Sequence, residues 1–204
     1  PFWIVIIFLQ FSFVKSDSEL WSSIGFEKKT QHNFVVDLEQ GLRYREQFSS
    51  FKQTFTELSI SYKLADDLSI FIPIRYAIFK DKIKQRLSVG WSFKSNLKPI
   101  NFKYSGKFQR MYENSIFKDQ LIRNKITIGY KINNKIKPYI SGEIFHLNEG
   151  STYLYDENRF SVGLSMKLFK KNRIKIFHKQ KLEDLNKSKN NKVYIMGVAY
   201  NLEL

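Results

Sequence analysis

The stretch Leu68-Ser-Ile-Phe-Ile-Pro-Ile-Arg-Tyr-Ala-Ile-Phe79 decides how the chain is read. Leu68, Ile70, Ile72, Ile74, Tyr76 and Ile78 occupy every second position, with Ser69 and Arg75 among the residues between them. A period of two marks a β-strand, whose successive side chains point to opposite faces. A helix would bring its apolar residues round every three or four positions. The stripe runs about 33 Å at ~3.3 Å per residue. Tilted near 45°, it covers roughly 24 Å, close to the ~25 Å apolar band of an outer-membrane barrel.

Outward from this stretch the alternation recurs in both directions. Upstream it takes in Phe34/Val36/Leu38 and Leu58/Ile60/Tyr62. Downstream it continues through Leu87/Val89/Trp91/Phe93, Ile100/Phe102/Tyr104, Ile126/Ile128/Tyr130, Phe160/Val162/Leu164 and Tyr194/Met196/Val198/Tyr200. The opposite faces carry Ser, Gly, Lys, Arg and Glu, as in Arg159, Ser161, Gly163, Ser165 and Lys167. The pattern predicts an all-β chain forming a single antiparallel up-and-down transmembrane β-barrel of 10–12 strands. Eleven segments are countable; twelve is preferred, because single-chain bacterial barrels use even numbers. Short connections (Lys29–Asn33, Leu64–Asp67, Lys94–Leu97, Asn133–Lys135, Lys170–Asn172) alternate with longer ones (Gln47–Ser50, Lys80–Lys84, Met111–Lys118, Asn148–Asn158, Glu183–Asn191). Tight periplasmic turns and longer external loops produce that alternation.

Composition narrows the class further. The 204 residues hold 34 Lys+Arg against 19 Asp+Glu, a net charge of +15, and no Cys. Disulfide frameworks, thiolate metal sites and Cys nucleophiles are therefore excluded. A mean hydropathy of −0.37 excludes a helical membrane bundle but not a barrel. The uncharged run Phe2–Val14 has the length of a signal-peptide h-region, and Val14-Lys15-Ser16 suits cleavage before Asp17. The expected division is a signal peptide over 1–16 and a barrel domain over 17–204. Export removes nucleic acid from the expected partners, despite the basic charge.

In a membrane barrel the polar face lines the lumen. Asp37, Glu39, Glu57 and Glu143 would then meet Arg43, Arg75, Arg86, Arg123 and Arg159 there and pair across strands. Phe55, Phe71, Phe79, Phe145 and Phe177 share that face and predict a largely filled lumen. Tyr62, Trp91, Phe93, Tyr130 and Tyr200 fall near the short turns, where amphipathic rings favour a membrane interface. The chain has no Walker, dinucleotide-binding or nucleophile-elbow motif. His32, His146 and His178 are far apart in sequence, so no metal or cofactor is expected.

The segment Glu19-Leu-Trp-Ser-Ser-Ile-Gly-Phe-Glu-Lys-Lys29, followed by Leu38-Glu-Gln-Gly-Leu-Arg-Tyr-Arg45, resembles the domain-of-unknown-function 2490 family. So do Pro138-Tyr-Ile-Ser-Gly-Glu-Ile-Phe145 and Asn158-Arg-Phe-Ser-Val-Gly-Leu164. The resemblance implies a small exported barrel in the bacterial outer membrane and brings no catalytic residue. Three functions follow as expectations. The first is a non-enzymatic narrow channel or structural/interaction barrel in the outer membrane. The second is a lipid-modifying hydrolase using His146 or His178 with a Ser. The third is a soluble exported barrel binding an apolar ligand. Expected partners are outer-membrane lipid, lipopolysaccharide phosphates at Lys187, Lys189 and Lys192, and the barrel assembly machinery during insertion. The sequence leaves the oligomeric state open.

Overall fold

A computed structural model describes residues 17–150 and 152–204; the expected signal peptide lies outside the described residues. Eleven strands close on themselves: β1 (Asp17–Lys29), β2 (Phe34–Arg45), β3 (Ser50–Lys63), β4 (Leu68–Phe79), β5 (Ile83–Leu97) and β6 (Ile100–Glu113), then β7 (Ile116–Tyr130), β8 (Ile136–Glu149), β9 (Thr152–Lys167), β10 (Asn172–Glu183) and β11 (Asn191–Glu203). Each strand pairs with its sequence neighbours, and β1 pairs with β11 to complete the ring. No strand edge is left open, which removes the unpaired backbone groups that an edge would expose.

Two expectations are corrected. The barrel has eleven strands rather than the preferred twelve, and it is not antiparallel throughout. Its closing pair, β1 with β11, is parallel, from Asp17↔Val193 to Glu27↔Glu203. An odd number of up-and-down strands leaves the first and last pointing the same way, so a parallel seam follows from the count. Asp17 therefore marks one rim and Leu204 the other, and the two rims are named by these residues below.

The expected alternation of short and long loops is also corrected. β6 and β7 pair out to Glu113↔Ile116 around Asn114 and Ser115, whose φ values are +49° and +67°. Positive φ at both central residues is the type I′ geometry that matches strand twist. β8 and β9 likewise pair out to Glu149↔Thr152, so most of the segment read as a loop over Asn148–Asn158 is strand. The bias survives as projecting hairpins. Strands β5 to β9 have 14–16 residues, while β2, β4 and β10 have 12. Three β-bulges, at Arg43/Tyr44, Met111/Tyr112 and Phe145/His146, lie toward the Asp17 rim, where barrels commonly bend.

The two faces differ as the alternation predicts. Ile72 and Ile74 are each 52% exposed, and Leu58, Ile60, Leu87, Val89, Ile126 and Ile140 are exposed with them. A belt of that extent far exceeds the apolar patches of ordinary soluble surfaces. Contacts between non-adjacent strands identify the other face as the interior. Arg75 on β4 reaches Glu39 on β2 at 3.9 Å, and Lys179 on β10 reaches Glu143 on β8 at 3.8 Å. Such chords exist only inside a closed ring.

Glycine makes room for rings on this inner wall. Gly41 faces Phe55, Gly90 faces Phe71, Gly163 faces Tyr139 and Gly197 faces Phe177 across adjacent strands. A Cβ at Gly163 would lie 2.6 Å from the Tyr139 hydroxyl, and at Gly90 2.8 Å from Phe71 Cζ. The aromatic rings thus occupy space beside the wall that any other residue would fill.

Candidate functional site: the barrel interior

The interior is stratified along the barrel axis. Toward the Asp17 rim its side chains are packed. Trp21, Val193 and Ile195 form a buried cluster with Phe177 against it, at the parallel seam. Phe55, Ala77, Leu121 and Phe145 are buried in the same half. The filling expected from the inward Phe residues is therefore confined mainly to one half.

One buried acid in this half is neutralised by several donors. Glu19, 1% exposed, accepts from Trp21 Nε1 at 2.7 Å and from Lys52, and Lys181 Nζ stands 3.7 Å away. Lys181 also meets Glu183 at 2.7 Å. Neither Glu19 nor Lys181 is among the sequence-expected positions. Leu20 and Trp21 are adjacent and apolar, and Val193 and Ile195 are apolar on the inner face, so alternation in β1 and β11 carries little sign of which side is in.

The middle of the lumen holds the expected ion pairs. Glu57 is shared by Arg75 Nε at 2.6 Å and Arg86 Nη2 at 2.9 Å. Arg75 and Arg86 are direct cross-strand neighbours, a repulsive placement that the shared carboxylate offsets. Glu143 is 1% exposed and meets Arg123 at 2.7 Å, Lys125 at 2.8 Å, Lys179 at 3.8 Å and Arg159 at 4.0 Å. Arg159 also pairs with Glu157. Arg43 has no carboxylate among the described residues. Its guanidinium lies 3.7 Å from the Trp21 ring centroid and 5.0 Å from that of Phe55, and its Nε has no hydrogen-bond partner. Arg75 also lies over the Phe55 ring at 3.8 Å, and Arg159 over Phe145 at 4.4 Å. These arginine–aromatic contacts link the packed half to the ion-pair layer. Asp37, further toward the Leu204 rim, makes no ion pair among the described residues.

Toward the Leu204 rim the interior changes character. Lys94, Lys103, Lys137, Lys167 and Arg173 are exposed to water and Lys175 is half-buried. Glu27 and Glu203 on this rim are both taken by Lys29, at 3.4 and 2.5 Å. In the β3–β4 turn, outside the apolar belt, Lys63 donates to Asp66 at 2.7 Å and holds that carboxyl below the usual carboxylate range.

Other expected positions are also placed. Tyr62, Trp91, Phe93, Tyr130 and Tyr200 lie on the outer face toward the Leu204 rim, with Phe34–Tyr62 and Trp91–Tyr104 rings 4.8 and 5.0 Å apart. His146 lies beside Tyr155, and His178 stacks on Tyr194 at 5.9 Å. The cross-strand neighbours of the two histidines are Ile122, Tyr155, Val162 and Met196, so among the described residues neither is paired across strands with a Ser. Lys187 pairs with Asp184 at 2.5 Å, and Lys192 covers the Tyr194 ring.

The architecture is that of porins. The NanC porin aligns with a TM-score of 0.57 at 12% identity, over 91% of this chain and 99% of that one. The KdgM porin aligns with a TM-score of 0.52 at 15% identity, over 85% of this chain and 87% of that one. Identities this low make the likeness one of fold. No curated protein sequence matches the chain. The family model described as "Protein of unknown function (DUF2490)" matches residues 18–192, and the chain, a porin-like β-barrel, belongs to that family.

Proposed function

We propose that the protein is a non-enzymatic, narrow channel-like barrel of the bacterial outer membrane whose lumen favours anions. The excess of interior cations over carboxylates carries this reading. Glu57 and Glu143 are already shared among several bases, while Lys94, Lys103, Lys107, Lys175 and Arg173 make no ion pair among the described residues. Wall charge of one sign concentrates counter-ions in a confined aqueous space. The outer apolar belt suits lipid, and the aromatics toward the Leu204 rim suit an interface. The projecting hairpins and the seven-residue connection after Glu183 support a reading in which the Asp17 rim is external and the Leu204 rim periplasmic. An interior packed with its own side chains toward the Asp17 rim and charged toward the Leu204 rim does not suit an apolar ligand, which disfavours the soluble apolar-ligand-binding alternative.

Two measurements test the reading. The unboiled protein should migrate differently from the boiled protein in detergent gels and should sediment with outer membranes; a freely soluble periplasmic form overturns the placement. In planar bilayers with a salt gradient, small conductance steps should reverse at a potential of anion preference. A flat trace, or cation preference, overturns the channel.

A further inference from the structure

The charged mouth at the Leu204 rim differs from the rest of the lumen in a way that conduction alone does not require. We propose that it is a seat for a multivalent oxyanion: one molecule bearing several phosphate or carboxylate groups. The inference shares the sign of the anion preference proposed above, and rests on that reading only for which side of the membrane the mouth faces.

Six bases from five strands converge there: Lys94 on β5, Lys103 on β6, Lys137 on β8, Lys167 on β9, and Arg173 and Lys175 on β10. They lie within one another's fields. Lys103 feels Lys94 and Lys175, and Lys137 feels Lys94, Lys167 and Arg173. Lys94 and Lys103 are direct cross-strand partners, as are Lys167 and Arg173. Like charges placed directly opposite destabilise a sheet. In the middle of the lumen the same arrangement is relieved by Glu57, which bridges Arg75 and Arg86. At the mouth no carboxylate bridges such a pair among the described residues, although Lys103 and Lys94 feel Asp37 and Lys175 feels Glu39 from beyond ion-pair distance. Asp37 and Glu39, the acids at its inner edge, close no ion pair with any of the six, and Glu27 and Glu203 are held by Lys29.

Shape supports the same conclusion. A cavity of about 290 Å³ at this mouth is lined by Lys137, Lys167 and Arg173 together with the neutral donors Asn101, Asn133 and Asn134. A second, smaller one adjoins it through Lys167 and Arg173. None of the six mouth bases closes an ion pair among the described residues, and five of them are exposed, whereas deeper in the lumen Glu57 and Glu143 are each shared by several bases. A single small anion neutralises one base at a time. A multivalent anion, once held at one point, meets the others at high effective concentration. The Arg173 fork and the lysine point charges suit oxyanions of either chemistry.

The test is calorimetric titration of the refolded barrel in detergent at low salt, with sodium tripolyphosphate, citrate and orthophosphate. Saturable binding of tripolyphosphate or citrate, tighter than orthophosphate and weakened by salt, is expected. The tighter of the two identifies phosphate or carboxylate as the favoured group. The double variant Lys137→Gln/Arg173→Gln should weaken that binding at least about tenfold, as befits the loss of charge-assisted contacts. Lys52→Gln, at the other rim, should leave it unchanged. Heat-modifiable migration verifies that each variant is folded. Absence of saturable binding, or equal weakening by Lys52→Gln, overturns the proposal. Binding retained by a barrel with a flat bilayer trace supports the seat and removes the channel. Conduction without binding does the reverse.

Discussion

Four cations from three strands converge on Glu143, which has lost nearly all contact with water. Burying a charge is costly unless it is paired and hydrogen-bonded, and removing one partner leaves the others uncompensated. Glu143 is the one carboxylate in ion-pair contact with Arg123, Lys125 and Lys179 among the described residues. Glu143→Gln should therefore lower unfolding stability by about 3–5 kcal/mol. Lys125→Gln should cost only about 1 kcal/mol, because Lys125 stays a third exposed and three other cations remain on the carboxylate. Urea unfolding in lipid vesicles distinguishes the two; equal effects would mean that Glu143 is not the hub of the layer. Side-chain parity made such residues legible beforehand, since Glu143, Arg123 and Arg159 each sit one step from a clear apolar stripe. Parity failed at Glu19 and Lys181, where apolar residues fall on both faces of the neighbouring strand starts. Pairing of specific acids with specific bases needs the strand register, which alternation does not contain.

Strands were legible in their central portions and less so toward the Asp17 rim. Where one face meets an apolar medium and the other the lumen, every second residue must be apolar. Once a hairpin projects beyond the apolar belt, both faces meet water, and the period that identifies a strand disappears. Asp156 and Glu157 on β9 and Asn148 on β8 therefore read as loop residues although they lie in strands. The cross-strand glycine–aromatic pairs are a second property of the elements. Gly163→Ala should destabilise the barrel by about 1–3 kcal/mol, because the new methyl group displaces the Tyr139 ring. Adding Tyr139→Ala should cancel much of that clash, so the double variant should be less unstable than the sum of the singles. Additive effects in urea unfolding would show that the ring and the glycine do not share space.

At the scale of the whole molecule, the decisive feature is the parallel closure of β1 on β11. Eleven segments are countable in the sequence, but the even strand numbers of single-chain bacterial barrels argue for a twelfth. No local pattern distinguishes a parallel from an antiparallel closing pair, since both alternate with the same period. The chain has no Cys, so engineered pairs report without background. Ser23 and Ala199 are opposite one another across the seam. Ser23→Cys with Ala199→Cys should form a disulfide under mild oxidation, seen as a reductant-sensitive change in gel mobility. Lack of cross-linking in the folded barrel would refute this register.

The same closure sets how the chain can be rewired. In an even barrel the first strand begins and the last one ends on a single rim, and a few residues join them into a circle. Here Asp17 and Leu204 stand at opposite rims, separated by the length of a 13-residue strand, about 40 Å along its axis. A circularly permuted version must therefore carry a tether that threads the interior or runs along the outer apolar belt. Cutting and rejoining the chain would fill the interior or cover the belt.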